Sequence, residues 1–245
     1  VKPLRNTLSP LGRQLSVVAA SIPTNNLALW LDFSDISTLF QDTAGATPIT
    51  TDGQAIARAS DKSGNARHAT NATSGQRPLH KASIQNGLSV ARPDGINDSL
   101  QTASFSLPQP FTVFVVYTAG GGNNRPIHDT PSGTRILFYE RAVAPNTHAQ
   151  FAGAGQIFFP TTTGWHVFTN VYNNTASFAQ VDSGSPVTGT LGTGSSTNGF
   201  ALFRNQGGSE FLNRDVGEIL MYSEAVTGSK LTTILSALKT KWGTP

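Results

Sequence analysis

The chain predicts an all-β fold: a two-sheet antiparallel jelly-roll sandwich, closed by one C-terminal amphipathic helix and preceded by an extended N-terminal arm. Three observations predict it. Ten short segments rich in β-branched and aromatic residues recur at short intervals: 88–91, 99–105, 111–117, 135–140, 148–151, 156–159, 165–172, 177–181, 199–203 and 216–222. Turn clusters separate them, among them Gly120-Gly121-Gly122-Asn123-Asn124, Pro131-Ser132-Gly133, Asn173-Asn174 and Asp182-Ser183-Gly184. Composition agrees, because 24 Gly and 14 Pro with only 13% charged residues favour many turns and few long helices.

Residues 1–24 read as an arm. Pro3, Pro10 and Pro23 each bias the preceding residue towards extended backbone. Leu4, Leu8, Leu11 and Leu15 recur at helix-like intervals, so one short helix near Pro10 is compatible with the pattern. Lys2, Arg5 and Arg13 are the only charges before Asp32, and they account for the whole formal excess of +3. The body, residues 25–245, is electrically balanced. That balance argues against nucleic acid as a partner, which would need a basic patch on the body.

From Leu27 the pattern turns to β: Leu29, Leu31 and Phe33 alternate with Trp30 and Asp32. Ser34 or Asp35 could cap a single helical turn through Ile36, Leu39 and Phe40, and a long loop fills residues 41–60. The Gly/Ser/Thr-rich stretch 184–199 reads as a long hairpin loop. The helix is signalled by Leu231, Ile234, Leu235, Leu238 and Trp242 on one stripe. Thr227 is placed to cap it, Lys239 and Lys241 suit its C-terminal end, and Gly243 offers a left-handed stop.

The absence of cysteine removes disulfides and thiolate chemistry and leaves the redox compartment open. No apolar run approaches the roughly 20 residues that span a bilayer.

In order and spacing, several motifs resemble the concanavalin A-like lectin/glucanase superfamily, specifically laminin-G-like domains of phage virion and bacterial surface proteins. They are Leu29-Trp30-Leu31-Asp32 with Ser34-Asp35, Asp61-Lys62-Ser63-Gly64-Asn65 with His68-Ala69-Thr70, and Gln76-Arg77-Pro78. Asn86-Gly87, Asp94-Gly95-Ile96-Asn97-Asp98-Ser99-Leu100 and Phe111-Thr112-Val113-Phe114-Val115-Val116 continue the series. Gly217-Glu218-Ile219-Leu220-Met221-Tyr222-Ser223 and Lys241-Trp242-Gly243 end it. The family usually carries a Trp where Ala59-Ser60 stand and an aromatic at Pro93, so packing near the Asp61 turn is expected to differ. The resemblance implies two packed antiparallel sheets. It leaves function open, since this fold carries sugar binding, protein binding, hydrolysis and scaffolding.

Glycoside hydrolysis uses two flanking carboxyl groups, and in the sequence Glu140, Glu210, Glu218 and Glu224 stand apart. Asp94, Asn97 and Asp98 crowd one turn, where self-capping is favoured over Ca²⁺ ligation; Asp61, Ser63 and Asn65 receive the same reading. His68, His80, His128, His148 and His166 form no spaced metal pair, and no cofactor is expected. Tyr139, Phe158, Phe159 and Trp165 are the candidate aromatics for a sugar platform.

The leading expectation is a non-enzymatic phage virion structural protein: a head decoration, head-fibre or tail-associated subunit, homo-oligomeric, on the virion surface. Lys2, Leu4, Arg5, Leu8, Leu11, Arg13 and Leu15 would bind other virion proteins, while outer loops meet cell-surface glycans without membrane contact. A secreted or surface bacterial carbohydrate-binding module is the alternative, and a glucanase-like hydrolase the third.

Overall fold

The computed structural model describes residues 21–120, 124–141, 147–160 and 162–245. The strands begin with β1 (Leu27–Asp32), β2 (Leu39–Phe40), β3 (Arg58–Ala59), β4 (Ala69–Thr70), β5 (Leu79–Gln85) and β6 (Leu88–Arg92). They continue with β7 (Leu100–Thr102), β8 (Phe111–Ala119), β9 (Arg125–Asp129), β10 (Ile136–Glu140), β11 (Thr147–Ala152) and β12 (Gly155–Pro160). The last are β13 (Gly164–Tyr172), β14 (Ser177–Val181), β15 (Val187–Gly189), β16 (Ala201–Leu202) and β17 (Val216–Tyr222), followed by helix α1 (Gly228–Trp242).

They form the two antiparallel sheets expected. The first runs β15-β14-β13-β8-β17-β6-β5, with β1 also pairing β17; the second runs β12-β11-β10-β9-β16-β7-β4-β3-β2. β8 explains the layering. Its Phe111, Val113, Val115 and Tyr117 join the core between the sheets, while Phe114 and Val116 turn the other way, to the helix side. A strand covered on both faces needs an unbroken apolar run, and Phe111-Thr112-Val113-Phe114-Val115-Val116-Tyr117 is nearly one.

Helix α1 lays Ile234, Leu235, Leu238 and Trp242 on the outer side of the first sheet, against Val90, Val167, Leu220 and Tyr222. Gly243 ends it in the left-handed region at φ 62°, with its N–H on the Lys239 carbonyl. Gly217 lets the helix close down, because a Cβ there would lie 2.5 Å from the Trp242 ring. One expectation is corrected: Thr227 has extended backbone at the N-cap position, but its hydroxyl makes no capping bond.

Three further local expectations change. The turn after β1 is a short 3-10 segment, Ile36–Thr38, with Leu39 and Phe40 already in strand, and no side chain caps it. The loop 41–60 ends in β3, and the stretch 184–199 supplies edge strand β15. Ile22 packs against the helix-side cluster and the Pro23 carbonyl accepts the Tyr222 hydroxyl at 2.8 Å, so the end of the expected arm already belongs to the body.

Candidate functional site

Helix α1 covers the outside of the first sheet, whereas part of the outside of the second sheet opens into a cavity. Strand register shows which residues face outward there. Arg58 pairs with Thr70, Thr70 with Gln101, Gln101 with Ala201, and Ala201 with Asp129. Their chain neighbours Ala59, Ala69, Leu100 and Leu202 belong to the core. Alternation along each strand therefore turns the Arg58–Thr70–Gln101 row away from the core.

Over that row lies a cavity of about 710 Å³. Arg58, His68, Thr70, Asn71, Asn97, Gln101, Arg204 and Phe211 are among the residues lining it. The Arg58 guanidinium is held by the Ser60 hydroxyl at 3.0 Å and the Ala44 carbonyl at 2.7 Å. Arg204 donates to Gln101 Oε1 at 3.0 Å and to the Asn205 carbonyl at 3.2 Å. It stands at the base of a small hairpin in which Arg204 bridges Phe211 and Asn205 Oδ1 accepts the Ser209 amide at 3.0 Å. Burial pulls the Arg204 pKa down and Asp129 opposes it.

His68 Nδ1 accepts the Asp61 amide at 3.0 Å, so its proton sits on Nε2. Burial first, and the Arg58 charge second, lower its pKa, with Asp61 opposing. The cavity thus offers guanidinium, imidazole and amide donors beside one aromatic residue, Phe211. That combination suits a hydroxyl-rich ligand with an apolar face.

The Asp61 turn proves to be a clamp on β1. Asp61 Oδ1 accepts the Trp30 amide at 3.0 Å and Oδ2 the Arg67 amide at 3.0 Å, while Asn65 Nδ2 donates to the Leu27 carbonyl at 2.9 Å. Asp94 Oδ1 accepts the amides of Ile96 and Asn97 at 2.8 and 3.1 Å, so its turn caps itself. Among the described residues no group of three His, Asp or Glu side chains could hold a metal ion.

The carboxylates are less scattered than their spacing in the chain. Asp32 pairs with Glu218 across β1 and β17, and Lys241 Nζ lies 2.8 Å from the first and 2.7 Å from the second. The indole N–H groups of Trp30 and Trp242 donate to Glu218 at 2.6 and 2.8 Å. Burial works to raise Asp32, but Lys241, Ser34 and Lys62 hold it below the usual carboxylate value; burial and the Asp32 charge push Glu218 up. Glu218 is fully buried, and neither carboxylate lines the cavity over Arg58, Thr70 and Gln101. The pair pins helix to sheet.

Two histidines also meet carboxylates across neighbouring hairpins. His166 Nδ1 lies 2.6 Å from Asp182 and His148 lies 4.0 Å from Glu140. Burial lowers His148 to about 4, so it is neutral near pH 7. Its Nδ1 lies 3.3 Å from the Pro160 carbonyl and its Nε2 lies 2.7 Å from the Tyr117 hydroxyl.

The four candidate aromatics are split. Phe158 and Tyr139 share the outer face of the second sheet with Phe151, at ring separations of 6.2 and 5.6 Å from it. Phe159 is core, and Trp165 stacks on Trp242 at 5.8 Å. None of the four lines the cavity, where the aromatic is Phe211. The arm residues Lys2, Leu4, Arg5, Leu8, Leu11, Arg13 and Leu15 lie outside the described residues.

No family model matches the chain, and no curated protein matches it. Solved structures do resemble it. Trypanosoma rangeli sialidase superposes with a TM-score of 0.59 at 11% identity, over 89% of this chain and 34% of that one. Domain 4 of AbnA, a GH43 extracellular arabinanase from Geobacillus stearothermophilus solved in complex with arabinotriose, gives a TM-score of 0.59 at 14% identity. The match covers 86% of this chain and 98% of that one. An arabinofuranosidase complexed with arabinofuranosyl-alpha-1,2-xylobiose gives 0.56 at 15% identity, over 75% and 50%.

The chain spans about a third of the length of the sialidase chains it matches. At these identities the likeness establishes a shared two-sheet β-sandwich fold, and a virion or laminin-G assignment draws nothing from it. It does correct the expectation of a chain with no enzymatic role, because the structures that share this sandwich are glycosidases or domains of them.

Proposed function

We propose that this chain is a saccharide-recognising sandwich of a glycan-processing protein, and that it grips its ligand in the cavity over Arg58, Thr70 and Gln101. One observation carries the reading: a cavity of about 710 Å³ on the second sheet, with amide, imidazole and guanidinium donors from Gln101, His68, Arg58 and Arg204 beside Phe211. Sugar hydroxyls need many fixed donors and acceptors, and a sugar's C–H face needs an apolar wall. The arabinanase domain of the same fold, solved with arabinotriose, supports the class of ligand. The laminin-G-like motifs of the sequence agree with a lectin-like use of the sandwich.

The test is a glycan array followed by calorimetric titration of the best oligosaccharide. Gln101→Ala and Phe211→Ala should each weaken binding about tenfold, the loss expected when a hydrogen bond or an apolar contact to the ligand goes. Binding that both variants leave intact, or an array with no glycan bound, would overturn the assignment.

A further inference from the structure

Resting on that reading of the cavity, we propose that its ligand is an acidic saccharide, one that presents carboxylates to Arg58 and Arg204. The walls contain these two arginines and no aspartate or glutamate. Elsewhere Arg67, Arg77 and Arg125 donate to backbone carbonyls, while three arginines are neutralised by carboxylates: Arg92 pairs with Asp215 at 2.6 Å, Arg135 with Asp129 at 2.9 Å, and Arg214 with Glu140 at 3.4 Å. Arg58 and Arg204 instead hydrogen-bond neutral acceptors, and neither makes an ion pair among the described residues. The Arg58 charge is left for the cavity, and that of Arg204 is offset only by Asp129, with which it makes no ion pair.

Both guanidinium groups are pre-set. Two bonds to Ser60 and Ala44 orient Arg58, and two bonds to Gln101 and Asn205 orient Arg204. An oriented guanidinium fork meets a carboxylate with little further loss of freedom. Spacing adds a second point. Arg58 and Gln101 stand two strand steps apart, about 10 Å, with Thr70 between them. Arg204 is bonded to Gln101, so the two positive charges flank the row from opposite ends. That suits successive acidic groups along an oligosaccharide better than one small anion. His68 adds a neutral Nε2–H donor to the same walls.

The experiment titrates the full chain with trigalacturonate, 3′-sialyllactose, arabinotriose, inorganic sulfate and a short single-stranded RNA, at low and at raised salt. At least one of the two acidic saccharides should bind about tenfold more tightly than arabinotriose, the increment expected of a charge-assisted hydrogen bond over a neutral one. The advantage should shrink as salt rises, and which acidic probe wins separates a uronate chain from a sialylated one. Arg58→Gln with Arg204→Gln should bring the ratio close to one, while Arg58→Lys with Arg204→Lys should retain part of it; circular dichroism confirms that both variants fold. Arabinotriose bound as tightly as the acidic probes would sink the acidic preference and leave a neutral sugar site. Sulfate or RNA bound more tightly than every saccharide would sink it as well. No saccharide bound at all would remove the site itself.

Discussion

The indole N–H of Trp242, the last residue of α1, lies 2.8 Å from the Glu218 carboxylate in the strand beneath it. The same carboxylate takes the Trp30 indole and the Lys241 ammonium, so one buried anion joins β1, β17 and α1. Glu218→Ala should cost about 3 kcal/mol, since it strands two indole donors and half of the Lys241 pairing. Thermal unfolding followed by tryptophan fluorescence reads this directly.

Gly217→Ala attacks the same junction from the backbone. The new methyl would meet the Trp242 ring at 2.5 Å, so the helix must lift or the indole must turn. A loss of about 1–3 kcal/mol is expected from such overpacking. Urea unfolding measures it, and the ring current of Trp165 on Trp242, stacked at 5.8 Å, should change in the proton spectrum.

Asp61 closes its turn onto β1 through the amides of Trp30, Ser63 and Arg67. Asp61→Ala leaves three amides without that acceptor and should destabilise by about 2 kcal/mol. Hydrogen exchange at the Trp30 amide should accelerate more than exchange at the centre of β8.

Asp98 is buried, faces Asp94, and has its pKa pushed up to about 6 by burial first and that charge second. A folded pKa above the unfolded value means that stability rises as pH falls through 6 towards 4. Asp98→Asn, which keeps an acceptor for the Asp94 amide, should therefore stabilise at pH 8 by about 1–2 kcal/mol and lose that advantage near pH 4. Denaturant titrations of both proteins at the two pH values check the sign.

His128 lies on the core side of β9, against Phe138 and Phe200, and burial lowers its pKa to about 4. The unfolded chain protonates from about pH 6.5 and the folded one does not, so this group withdraws up to about 3 kcal/mol as pH falls from 6.5 to 4. His128→Leu should flatten that part of the acid-stability profile and cost little at pH 8.

The long strands were readable because burial on both faces writes itself into composition: β8 and β17 are almost wholly apolar. The missed strands lack that signature. β9 contains Pro126, which is accommodated where the register between β9 and β10 shifts. β2, β3 and β4 are two residues each, held by neighbours from distant segments and by no local pattern. β5 is a half-exposed edge strand interrupted between Lys81 and Gln85, with Ser83 at positive φ.

The cavity was harder still to see. Polar Gln101 between Leu100 and Thr102 signals an outward position by alternation. Nothing in local spacing joins it to Arg58 or to Arg204, which arrive through cross-strand pairing and a separate hairpin. Long-range pairing likewise hid the meeting of Asp32 with Glu218.

The central claim, that saccharide enters the cavity over Arg58, Thr70 and Gln101, is tested most directly by mapping amide chemical shifts of the labelled chain as oligosaccharide is added. The account predicts saturable shifts clustered on His68, Asn71, Gln101, Arg204 and Phe211. Shifts centred instead on the Tyr139, Phe151 and Phe158 face, or none at saturating oligosaccharide, would contradict it.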